Sequence, residues 1–291
     1  MSFSKTNQEV LCPQLGLYLN KFTVRQMLQE IRALSKRFFI QSSRRLSFVV
    51  SGTIQPLLWL LLFGAIFQRV TIFQFQQEIR YIDFLSAGIL VFTAFTSALN
   101  AGLPIMFDRE FGFFNRILVS PIASRFSILA ASSTYIICVT TLQIVIMLLF
   151  VFAKGSFFAS THLIPVFIGI LVLLIFSVTI FSLIISFILP GHIELLALIL
   201  LINLPILFSS SALAPLQAMP KWLQTIAGFN PLTYAIDALR YIYVEPNSTF
   251  FAKVFDTIFG ELSLCQIYIY YLVLNILLII ASEKFFDAKL E

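Results

Sequence analysis

The chain has 291 residues, 59% of them hydrophobic and 11% charged, with a mean hydropathy of +0.95. Soluble domains are nearer 45–50% apolar and about 25% charged, so no water-soluble fold of this length could hide so much apolar surface. Continuous rather than alternating apolar runs exclude an outer-membrane β-barrel, and the net charge of +5 reads as membrane topology rather than as nucleic-acid binding.

Taken in chain order, residues 1–21 lack a continuous apolar run and include Glu9, so no secretory signal is expected, and no Arg/Ser-rich transit segment is evident. Within residues 18–39, Val24, Met27, Leu28, Ile31, Leu34 and Phe38 recur at helical steps. Lys21, Arg25, Gln29, Arg32 and Lys36 fill the other face. This is an amphipathic helix with a basic face, lying in the membrane interface or packed on the aqueous side. The first span is expected over Phe48–Phe67, followed by a polar loop at 68–81. The second, Ile82–Met106, is rich in small residues such as Gly88, Ala94, Ala98 and Gly102, which let helices approach closely in lipid.

Residues 107–125 read FDREFGFFNRILVSPIASR. Asp108, Arg109 and Glu110 stand at the start, where acids suit a helix N-terminus. Phe111, Phe113, Phe114, Ile117 and Leu118 then give a short helix an apolar surface, and Pro121 is a helix stop. Such a surface fits docking on another protein or resting in the interface. Further spans are expected at Phe126–Phe152, Leu163–Leu189, Ile193–Leu213 and Leu264–Ala281, with a tight turn at Pro190-Gly191. In the long segment 214–262, Met219-Pro220-Lys221-Trp222 reads as a helix start with Trp222 at headgroup depth, and Asn230-Pro231 as a break. Two half-length helices with a turn between them predict a re-entrant hairpin or a helical pair on the membrane surface. Asp237 and Arg240, three apart on one helix face, are expected to pair structurally. Asn100, Gln143, Asn203 and Asn275 are lone polar residues within spans, suited to interhelical hydrogen bonds.

With six spans, both termini share one side. That side collects 13 basic residues, among them Arg116, against 6 on the other, which places it inside. The three cysteines (Cys12, Cys138, Cys265) and two histidines show no metal-type spacing. There is no G-x-x-x-x-G-K-[ST] stretch for a nucleotide phosphate and no H-E-x-x-H or G-x-S-x-G. The expected organisation is therefore an all-α membrane protein: an N-terminal segment 1–46, a six-span domain 47–282 and a charged tail 283–291.

Two stretches resemble a known family. Asp108-Arg109-Glu110, Gly112, Arg116, Val119-Ser120-Pro121 and Ser124-Arg125 look like the cytoplasmic signature of type-2 ABC transporter permeases. Ser210-Ser211-Ala212, Pro215, Met219-Pro220, Trp222-Leu223, Asn230-Pro231-Leu232-Thr233-Tyr234, Asp237 and Leu239-Arg240 resemble its stretch between spans 5 and 6. The resemblance is to the drug-resistance and polysaccharide-export members of bacteria and algal plastids. It implies that Asp108, Arg109, Glu110, Phe111, Gly112, Phe114, Arg116 and Pro121 form a helix coupling the permease to a separate ATPase. It implies that Pro220, Trp222, Asn230, Pro231, Asp237 and Arg240 belong to an outer hairpin. It further implies a homodimer in a lipid membrane, plastid or bacterial, with ATP and Mg held by the ATPase and no cofactor bound by this chain. The substrate is expected to be amphipathic, and the small-residue face of span 2 is expected to pair the two copies. Rival readings are an ion-coupled carrier or channel, which would need buried acids or a selectivity segment at mid-membrane, and a non-transporting assembly factor.

Overall fold

The computed structural model describes residues 24–44, 46–74, 77–114, 116, 126–155, 162–245, 249–251, 253–257 and 260–290. Helix α1 (Val24–Ser43) buries Phe38 and half-buries Met27, Ile31 and Leu34 of the expected apolar stripe, while Leu28 is exposed. It lies along the start of α5 (Phe126–Ala153): Ser35 donates to the Ala131 carbonyl at 3.3 Å, and the Phe38 and Tyr135 rings stand 5.8 Å apart. Apolar α2 (Leu46–Ile66) follows.

The second span is not one helix. It consists of α3 (Tyr81–Leu99) and α4 (Gly102–Glu110), broken at Asn100-Ala101. A break frees backbone groups that lipid cannot satisfy. Ser182, on α6 (Ile164–Ile188), satisfies two of them: its hydroxyl accepts the Gly102 N–H at 3.0 Å and donates to the Leu99 carbonyl at 2.5 Å. A Cβ on Gly102 would lie 2.6 Å from the Ser182 carbonyl oxygen, so the helices approach closely only because residue 102 has no side chain. Asn100 donates to the Thr96 carbonyl of its own helix at 2.8 Å and closes the end of α3, rather than reaching to a neighbour.

Pro165 sits in the first turn of α6, where a missing N–H costs nothing. The helix ends at Ile188, with Leu189 driven to extended backbone by Pro190. Helix α7 (His192–Phe208) stops short of the expected Leu213, because the carbonyls of 211 and 212 serve a buried arginine described below. Helices α8 (Lys221–Phe229) and α9 (Pro231–Val244) form a hairpin, and α10 (Leu264–Leu290) runs on through the charged tail. The polar loops contain two antiparallel hairpins: β1 (Thr71–Gln74) pairs Thr71 with Arg80 of β2 (Gln77–Arg80), and β3 (Lys253–Thr257) pairs with β4 (Gly260–Ser263). Strands of four or five residues are too short to register as a period in the sequence.

Among the described residues, four helical stretches are long and apolar enough to cross a membrane: Tyr81–Glu110, Ala130–Ala153, Ile164–Ile188 and Leu264–Ser282. Helix α2 (Leu46–Ile66) is apolar over 21 residues, about 31 Å at 1.5 Å per residue, and His192–Phe208 is apolar but shorter, about 25 Å against a hydrocarbon core of about 30 Å. The α3–α4 stretch is the hub, with 78% of its apolar window buried, against 22% for α10. It contacts α2, α5, α6 and α9. Its small residues are engaged inside the chain: Ala87, Ala94 and Ala98 are fully buried, and a Cβ on Gly88 would come within 2.6 Å of the Ala212 carbonyl oxygen. The face expected to pair two copies is thus already covered by α6 and by the segment after α7.

Successive helices run between the same two ends. Arg109 meets Leu189 and Pro190 at one end. At the other, Arg80 donates to the Gly155 carbonyl at 3.4 Å and Tyr81 to the Leu213 carbonyl at 3.1 Å.

Candidate functional site

The residues expected to couple the chain to an ATPase stand at the first of these ends. Asp108, Arg109 and Glu110 do not begin a helix there, as the position of the acids suggests; they form the last turn of α4. Their side chains find three separate partners, so the local preference for acids at a helix start yields to tertiary bonds. Asp108 is buried and forms an ion pair with Arg37 of α1. Arg109 donates to the carbonyls of Ser186 (2.8 Å), Leu189 and Pro190 (3.0 Å), the unsatisfied acceptors at the C-terminus of α6, where a cation also suits the helix dipole. Glu110 Oε2 lies 2.5 Å from His192 Nδ1 at the start of α7. One helical turn is therefore tied to α1, α6 and α7 together.

The chain then reverses. Phe111 closes α4 with its N–H on the Phe107 carbonyl at 2.9 Å, and Gly112 follows at φ 72°, the left-handed conformation that glycine adopts after a helix. Past this turn the aromatic residues divide. Phe114 is 4% exposed and packs edge-on against Phe187 at 5.2 Å. Phe111 is 75% exposed, and Phe113 is partly exposed under the Arg37 guanidinium, 3.9 Å from its ring centre. Arg116 is exposed, and Pro121 lies outside the described residues. Among the described aromatic residues of this segment, Phe111 and Phe113 face outward, while Phe114 is part of the core.

The second signature gathers at the opposite end around Arg240, whose side chain is 1% exposed. Its guanidinium donates to Asp237 Oδ1 (3.0 Å) and to the carbonyls of Phe84 (3.2 Å), Ser211 (2.5 Å) and Ala212 (3.2 Å), and it lies 3.5 Å from the Phe84 ring centre. Asp237 Oδ1 also accepts the Ser211 hydroxyl at 2.7 Å. One cation thus joins α9, α3 and the segment after α7. Asn230 closes the neighbouring corner. Its Oδ1 accepts the Leu232 N–H at 3.0 Å as the cap of α9, and its Nδ2 donates to the Ile206 carbonyl (2.9 Å) and Ser209 hydroxyl (3.1 Å). Pro231 takes the first helical position, and its carbonyl accepts Tyr271 at 2.6 Å. Pro220 precedes α8, and Trp222 projects outward at 66% exposure. The Asp237–Arg240 pair forms, as its spacing suggests.

Three contributors to the first site lie outside residues 107–125: Arg37, Ser186 and His192. Ser182 and Ser186 are four apart in a span whose other polar residues are Ser177 and Thr179, a polar stripe that signals a packed face. Arg37 carried no such signal, because it sits at the edge of a face already rich in cations. Among the described residues, no group of three His, Cys, Asp or Glu could hold a metal ion.

Residues 29–244 match the family described as ABC-2 type transporter. The chain belongs to the ABC-2 type transporter family. Three algal relatives each bear the name "Putative transport permease ycf38". That of Porphyra purpurea is 47% identical over 267 residues, covering 92% of both chains. That of Pyropia yezoensis is 45% identical over 290 residues, 99% of both, and that of Cyanophora paradoxa 46% over 239 residues, 82% of both. The ABC-2 match begins within α1 and ends with the last residue of α9, so it takes in the α4 turn and the Arg240 cluster and leaves out α10. This ABC-2 chain is a multi-pass membrane protein of a transport-permease family.

Proposed function

We propose that the chain is the permease subunit of an ATP-driven exporter, powered by a separate ATPase that docks on the segment from Asp108 to Arg116 and Pro121. The observation that carries this reading is the three-way tie of the α4 turn. Force applied at Phe111 reaches α1 through Asp108–Arg37, α6 through Arg109, and α7 through Glu110–His192. A loop that only joined two spans would need none of these bonds. The exposed rings of Phe111 and Phe113 supply the apolar anchors, and Glu110 and Arg116 orient the docked surface.

In this reading the chain crosses the membrane six times, α2 and α7 completing the set. The α8–α9 hairpin re-enters from the outer face with Trp222 at headgroup depth. Two copies form the working unit. The apolar walls suit an amphipathic, lipid-like or drug-like substrate, and the algal relatives favour a plastid membrane. The organisation into an N-terminal segment, a six-span domain and a tail follows from the same reading.

The test is recruitment. Buried aromatic anchors cost on the order of 2 kcal/mol each when cut to alanine. Phe111→Ala/Phe113→Ala should therefore insert normally and lose most ATPase recovery in a pull-down at equal membrane levels. Phe114→Ala should instead lower thermal stability. Equal ATPase recovery by wild type and the Phe111/Phe113 variant would overturn the coupling role.

A further inference from the structure

The face of α1 turned toward the α4 turn borders an open cleft of about 580 Å³. Lys36, Arg37, Ile40 and Arg44 recur along it at helical steps, and Asp108 and Phe113 form the opposite wall. The charge in this cleft is unbalanced. Three cations face one carboxylate, and that carboxylate is already bonded to Arg37 through Nη2. The other terminal nitrogen of Arg37, Nη1, is buried with no hydrogen-bond partner, while Lys36 and Arg44 are exposed. Beside this basic cleft lies a smaller cavity of about 80 Å³ that shares Gln41 and is walled by apolar groups including Leu103, Phe107 and Tyr135.

A ligand matched to both parts is anionic at one end and apolar at the other. Lys36 and Arg44 are eight residues apart, about 12 Å along the helix axis. Their side chains can converge on a phosphate near Arg37 from both directions. The helix itself is amphipathic and joins directly to a span, which holds this cleft at the level of lipid headgroups. Basic pockets between helices at that level bind anionic headgroups. We propose that the cleft is a binding site for an anionic phospholipid. Its phosphate engages Lys36 and Arg44 beside the Arg37–Asp108 pair, and an acyl chain lies along Ile40 and Phe113 toward Phe107 and Tyr135. Because Arg37 also holds Asp108, the lipid braces α1 against the α4 turn.

The experiment is a native mass-spectrometry titration of the detergent-solubilised full chain with phosphatidylglycerol, phosphatidylcholine or inorganic phosphate. Wild type should retain phosphatidylglycerol in preference to the other two. Each basic residue near an anionic lipid contributes about fivefold in affinity, so Lys36→Gln/Arg44→Gln should weaken phosphatidylglycerol retention by about 25-fold. Arg25→Gln/Arg32→Gln removes the same charge from exposed positions of α1 outside the cleft and should leave retention near wild type. Equal weakening by the two variants would show diffuse attraction to a basic helix and overturn the site. Equal retention of phosphatidylcholine would remove the anionic requirement, and retention of inorganic phosphate alone as tightly as lipid would remove the acyl-chain contribution; either result overturns the proposal. Loss of thermal stabilisation by phosphatidylglycerol in the Lys36/Arg44 variant alone provides a second readout in its favour.

Discussion

Replacing Arg240 with methionine tests whether the second signature is held by one buried cation. Methionine fits much of the arginine stem but carries no donor. The change removes the hydrogen bonds to Asp237 and to the carbonyls of Phe84, Ser211 and Ala212. It leaves Asp237 buried, with only the Ser211 hydroxyl as donor. Removing one partner of a buried ion pair costs about 3–5 kcal/mol, because the remaining charge is uncompensated. The Phe84 carbonyl lies within a helix, but those of Ser211 and Ala212 lie beyond the end of α7, so their loss adds to the cost. For a chain of this size, at a few degrees per kcal/mol, the apparent Tm in detergent should fall by on the order of 10 °C. Arg240→Lys should fall between wild type and methionine, because an ammonium cannot serve acceptors on three elements with a planar fork. Asp237→Asn should cost less than Arg240→Met, since the amide oxygen still accepts from Ser211 and Arg240. The assay is tryptophan or dye-reported melting of each purified variant at equal detergent and lipid. An Arg240→Met protein that melts within about 2 °C of wild type would refute the assignment of Arg240 as the tie between α3, α9 and the segment after α7.

Gly102→Ala and Gly88→Ala should each lower stability by about 1–3 kcal/mol, since the new methyl meets a backbone carbonyl at 2.6 Å that cannot swing aside; melting curves check this, and unchanged curves would mean that α3–α4 does not pack so closely. Cysteines at 116 and 253 should be labelled from opposite sides of the membrane by an impermeant thiol reagent, and labelling from one side would contradict the six-span arrangement. Crosslinking in native membranes should yield a homodimer, through faces other than the small-residue stripe of α3; a chain that stays monomeric with its ATPase bound would exclude two-copy assembly.

Membrane residence was legible from composition alone, because no aqueous fold can hold 59% hydrophobic residues at this length. The helical elements of the spans, the amphipathic start and the Asn230-Pro231 corner were legible too. Each rests on local chemistry: apolar runs, a 3.6-residue period, and a proline that cannot continue the preceding helix. The Asp237–Arg240 pair was readable because three residues along a helix bring two side chains to one face. The bend at Asn100-Ala101 was not, because what stabilises it is a serine 80 residues away whose hydroxyl serves both freed backbone groups. The place of the acids at 108–110, at a helix end rather than a start, is hidden from the local sequence for the same reason. Local preference would start a helix there, but Arg37, the end of α6 and His192 offer stronger partners and make that turn an end. The small residues of span 2 were recognised as a contact face, yet only packing could decide what they touch. A glycine records that something comes close, and the identity of the neighbour is set by the fold: Ala212 at Gly88 and Ser182 at Gly102. The division of the aromatic residues between Phe114, which is core, and Phe111, which is surface, likewise depends on where α6 places Phe187, a position that no pattern within residues 107–125 contains.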